Sequence, residues 1–89
     1  MRSSGAGSSG LTDRHRAMLE LERYAPVLAS PKSEHIRTIF RLSPRRYHQL
    51  LDVLIDQPAA LQYDPLVVKR LRRERARRRT QHTRELLGS

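Results

Sequence analysis

Eight of the eleven residues from Lys69 to Arg79 are basic: Lys69, Arg70, Arg72, Arg73, Arg75, Arg77, Arg78 and Arg79, with Glu74 as the one acid. Seven of the eight are arginines, whose planar fork of donors matches phosphate better than an ammonium does. The segment carries +7 of the chain's net +9. Residues 1–68 set nine basic groups against seven acidic ones, and beyond Arg79 the charge of Arg84 is balanced by Glu85. Charge gathered in one stretch predicts a polyanionic partner. A membrane surface or a calmodulin-like partner would need bulky apolar residues along the same helix, and here they stop at Leu71.

A second polar group lies upstream, in Ser43-Pro44-Arg45-Arg46-Tyr47-His48-Gln49. A hydroxyl at the N-cap and proline at the first helical position together open a helix. Its inner face is Tyr47, Leu50, Leu51, Leu54 and Ile55, which leaves Arg45, Arg46, His48 and Gln49 exposed on the first turns. Arginine can bond bidentately to guanine and glutamine to adenine, and a helix N-terminus favours phosphate. Arg45, Arg46, His48 and Gln49 are therefore candidate DNA contacts. The eight basic residues of 69–79 are the candidate phosphate grip.

No other constellation carries chemistry. The four histidines, His15, His35, His48 and His82, are scattered without ligand spacing, so no metal is expected. There is no nucleophile elbow, phosphate-cradling glycine loop or acid pair, and the reading is of no enzyme, no catalytic residue and no cofactor. The absence of cysteine excludes disulfides and thiolate sites and fits a reducing compartment.

These groups must be positioned by helices. Thr12 caps a first helix with inward residues Ala17, Met18, Leu21, Tyr24 and Ala25, and Pro26 ends it. Ser33 caps a short second helix with Ile36, Ile39 and Phe40 on its buried face. Arg41-Leu42 make the turn into the helix opened by Ser43-Pro44. Residues 58–63 form a single helical turn or a loop. Asp64-Pro65 start the last helix, expected to reach Arg79 over about 24 Å. Val67, Val68 and Leu71 would dock its first half, and the second half would project, with Glu74 paired to Arg78. The expectation is an all-α fold: a three-helix helix-turn-helix core plus a basic C-terminal helix. Residues 1–10, rich in serine and glycine, read as a disordered arm, 11–63 as the helix-turn-helix domain, and 64–89 as the basic helix and tail.

The segments LTDRHRAMLELERYA, SEHIRTIFRLSPRRYHQLLDVLID and DPLVVKRLRRERARR resemble a family of short actinobacterial proteins of unknown function. That family is similar to the helix-turn-helix of sigma-factor region four and of LuxR-type regulators. The resemblance implies that Ser43 caps a recognition helix and that Pro44, Arg45, Arg46, His48 and Gln49 meet DNA. Arg41 stands where such turns usually carry glycine, which supplies positive φ at little cost.

One small reading head beside a large sequence-independent charge suits coating or compacting DNA. A nucleoid-associated, architectural DNA-binding protein with effects on transcription is expected. The alternatives are a sequence-specific regulator, an RNA or ribosome binder, and an adaptor contacting RNA polymerase. Double-stranded DNA is the expected partner, with RNA polymerase as a second candidate. No membrane span is visible, the location expected is the cytoplasm and nucleoid, and the oligomeric state is left open.

Overall fold

The computed structural model describes residues 10–88, and every regular element among them is helical. Most of the expected N-terminal arm, residues 1–9, and Ser89 of the expected tail lie outside the described residues. The first helix, α1, spans Asp13–Tyr24. Thr12 Oγ1 accepts from the His15 amide at 3.0 Å, and His15 Nδ1 accepts from the Thr12 amide at 3.3 Å. This is a capping box in which an imidazole holds the place usually taken by glutamate or glutamine. Pro26 lies within a 3₁₀ turn, Ala25–Val27, that closes the element.

The second helix, α2, is Lys32–His35 continued by a π-helical turn, Ile36–Phe40. Two expectations fail here. Pro31, without a side-chain bond, occupies the cap position expected for Ser33. Ile36 is buried, whereas Ile39 is 56% exposed. The wider π turn explains this, because a residue three positions on from Ile36 no longer returns to the inner face. Arg41 then adopts the left-handed conformation, φ 57° and ψ 37°. It is the one non-glycine residue with positive φ among those described.

The third helix, α3, spans Pro44–Leu54, with Ser43 Oγ accepting from the Arg46 amide at 3.2 Å. Residues 58–63 do form a helix, α4 (Pro58–Tyr63). The last helix, α5, runs from Pro65 to Leu87 behind the Asp64 cap, 23 residues rather than the expected run to Arg79. At 1.5 Å per residue it is about 34 Å long. None of these helices is long and apolar enough to cross a membrane.

One core joins them. Met18, Leu19 and Leu21 of α1, Ile36 of α2, Tyr47, Leu51 and Leu54 of α3, Ala60 of α4, and Val67, Val68 and Leu71 of α5 are all buried, with Leu11 and Ile55. The face of α1 differs from the one expected, since Tyr24 is half exposed and Glu22 is buried in its place. A lone buried carboxylate is costly, and three hydrogen bonds from two partners offset this one. Lys32 Nζ donates to both Glu22 oxygens at 3.1 Å, and the Tyr47 hydroxyl donates to Oε2 at 2.8 Å. Burial, and then the Glu22 charge and hydrogen bond, push the Tyr47 hydroxyl far above the usual phenol range. The network fastens α1, α2 and α3 at one point, directly behind the inner face of α3.

Candidate nucleic-acid interface

The exposed turns of α3 follow from its start and its register. With Ser43 and Pro44 fixing the first turn and Tyr47, Leu51 and Leu54 turned inward, Arg45, Arg46, His48 and Gln49 are left exposed. Arg45 and Arg46 make no ion pair among the described residues. Arg46 Nη1 donates to Gln49 Oε1 at 3.3 Å, so these two side chains share one patch. His48 takes a different direction. Its ring meets Tyr47 edge-on at 5.3 Å and borders a crevice of about 60 Å³ shared with Lys32, Asp52 and Arg78. Desolvation on that side, then Lys32 and Arg78, hold its imidazole below the usual pKa, against the pull of Glu22 and Asp52.

The eight cations of 69–79 divide into three kinds. Arg70, Arg72 and Arg75 are structural. Arg70 Nη2 donates to the Glu22 carbonyl in the last turn of α1 at 2.6 Å. Arg72 Nε donates to the Ile55 carbonyl at 2.7 Å, and Arg75 Nη1 donates to the Asp52 carbonyl at 3.0 Å. The last carbonyls of a helix lack intrahelical partners and carry its negative end, so guanidinium groups there satisfy both needs. Arg75 also takes the Asp56 carboxylate in a fork, at 2.7 and 3.1 Å. That hydrogen bond, more than charge alone, lowers the Asp56 pKa and raises that of Arg75.

Arg78 is shared. It lies 3.8 Å from Asp52, with its side chain 62% exposed. The pairing expected between Glu74 and Arg78 does not form; Glu74 stands 3.7 Å from Arg70 instead. Lys69, Arg73, Arg77 and Arg79 are exposed and make no ion pair among the described residues. Their directions differ. Two residues along a helix turn through about 200°, so Lys69 and Arg73 oppose the buried Leu71, and Arg73 and Arg77 oppose the docked Arg75. These three point away from α3. Arg79, one turn beyond Arg75, stays on the α3 side, where it also lowers the Asp56 pKa.

Projection of the last helix therefore begins later than expected, because its apolar face continues as a polar docking face through Arg75. A signal for this stands in the sequence. Arg72, Arg75 and Arg78 recur every three residues, and Asp52 and Asp56 stand four apart at the end of α3.

These features define a small all-helical protein whose positive charge is split between a capped helix start and a long basic helix. The chain belongs to the family described as Protein of unknown function (DUF3263), which matches residues 10–84. No curated protein and no solved structure matches it.

Proposed function

We propose that this is a bacterial DNA-binding protein of helix-turn-helix type, of the actinobacterial kind that the sequence resembles. In this reading α2 and α3 form the unit, and α3 lies in the major groove. One observation carries it. The N-terminal turns of α3 present Arg45, Arg46 and Gln49 to solvent, while its C-terminal carbonyls are held by Arg72 and Arg75. A reading helix needs such an arrangement, with donors free at one end and position fixed at the other. With one small head and few base-reading side chains, the role that fits is nucleoid-associated and architectural, in the nucleoid, with effects on transcription.

The orientation of α5 reduces the number of phosphates that one duplex can engage. Counting Arg45 and Arg46 of α3 with Arg78 and Arg79, on the side of α5 that faces α3, gives about four contacts and a salt slope near −3.6. Affinity should fall about 10²-fold between 50 and 200 mM salt. Duplex binding followed by fluorescence anisotropy across that range tests this. Arg45→Ala with Arg46→Ala should bring the slope to about −1.8; an unchanged slope would remove α3 from the interface. Ending the chain before Lys69 is not a clean test, because it also deletes the buried Leu71. Random-sequence duplex should compete nearly as well as any selected sequence. A preference above about 10³ would instead mark an operator-specific regulator.

A further inference from the structure

We propose that the groove between α1, α4 and α5, on the side of α5 turned away from α3, docks an acidic segment of a partner protein through an apolar anchor. The groove holds about 420 Å³, and its lining includes Arg23, Tyr63, Asp64, Leu66, Arg70 and Arg73. Leu66 and Arg73 are seven residues apart, two turns, and so lie on one face of α5. That face is opposite Leu71 and Arg75, the residues by which α5 docks. The groove thus stays open when the exposed turns of α3 are occupied.

Charge and shape together indicate the occupant. Arg23 and Arg73 make no ion pair among the described residues, and Arg70 stands only 3.7 Å from its carboxylate. Three arginines line the groove against one lining carboxylate, Asp64, with Glu20 and Glu74 at its edges. Glu20 accepts from the Tyr63 hydroxyl at 3.1 Å, and Asp64 accepts from the Val67 amide at 3.3 Å. The groove therefore favours a negatively charged ligand. Leu66 is 80% exposed and Tyr63 is 41% exposed. A phosphate backbone offers an aliphatic side chain no partner, whereas tyrosine and arginine around an apolar contact are typical of the residues that dominate protein–protein binding. A short acidic helix with a leucine on its inner face meets all of these demands.

The test is direct binding of a fluorescein-labelled peptide of glutamates carrying two leucines four residues apart, to the full chain at 150 mM salt. Saturable one-to-one binding is expected. Leu66→Ser and Arg73→Glu should each weaken it at least tenfold, as should replacing the peptide's leucines by alanine. Both substituted side chains are exposed, so the fold should survive, with an unchanged circular dichroism spectrum as the check. Arg45→Ala with Arg46→Ala should alter peptide affinity less than twofold. Peptide binding indifferent to Leu66→Ser would reduce the effect to bulk charge and end the proposal. So would a duplex that displaces the peptide while Arg73→Glu weakens duplex and peptide equally, because the groove would then belong to nucleic acid. The peptide measurement contains no DNA, so it stands or falls separately from the duplex reading.

Discussion

Arg75 and Arg77 sit two residues apart in the same helix and carry the same group, yet one is a structural part and the other a free charge. Arg75 is 12% exposed at its side chain and holds a carbonyl and a carboxylate of the α3 end. Arg77 faces solvent on the opposite side of α5. The difference comes from what lies across from each residue, not from the residue type. A basic run on a helix that crosses the end of another helix divides by direction. The side facing open carbonyls becomes a brace, and the other side remains available to polyanions. In the proposed reading the brace matters as much as the exposed charges do, because it fixes where α3 ends.

Breaking the partnered charges should therefore cost stability, and breaking the free ones should not. The largest effect is expected at Glu22, where substitution by alanine leaves the half-buried Lys32 without its carboxylate and the Tyr47 hydroxyl with only the Met18 carbonyl, 3.3 Å away. Loss of one partner from a buried pair costs about 3 kcal/mol, read from urea unfolding. A change under about 1 kcal/mol would show that the network is not formed. Next comes the pair that defines the contrast. Arg75→Ala should cost about 2 kcal/mol, mainly from the carbonyl left without its charged donor. The Asp56 carboxylate is 59% exposed, so its share is largely screened. Arg77→Ala should stay within about 0.5 kcal/mol. Equal effects at the two positions would erase the distinction between brace and free charge.

The smallest effect sharpens the same contrast at a histidine. His15 accepts a hydrogen bond from the Thr12 amide, and burial, then Arg14, lower its pKa. A group whose folded pKa is depressed contributes stability above its unfolded value, near 6.5, and loses it as pH falls through the folded value. Between pH 7.5 and 5 the unaltered protein should lose about 0.5 kcal/mol relative to His15→Gln, which keeps an acceptor at every pH. Parallel pH curves would mean that the imidazole contributes nothing to the cap.

Much of the fold was legible before the structure, and the reason is local. Thr12, Ser43 and Asp64 cap as expected because an N-cap is decided within four residues. The inner face of α3 follows from a constant period. Where the period itself changes, as in the π turn of α2, spacing puts Ile39 on the wrong side. Burial of Glu22 and docking of Arg70 were not legible from periodicity, because both depend on partners 10 to 48 residues away. The recurrence of Arg72, Arg75 and Arg78 marks a face but not what that face meets. The candidate site was correspondingly half visible. The exposed turns of α3 were found from their cap, whereas three of the eight cations assigned to phosphate belong to the fold.

The far end of α5 has a consequence of its own. From residue 79 to 87 no side chain is buried, and nine residues are too few to hold a helix in water unaided. This stretch is helical as the outward extension of a packed nucleus at Val67–Arg75, which supplies the unfavourable first turn. Its order must therefore decline by degrees towards Leu87, turn by turn, instead of being lost at one boundary. A ligand that follows this helix outward meets a rising entropic charge for each further turn it engages, so the helix sets its own working length according to what is bound to it.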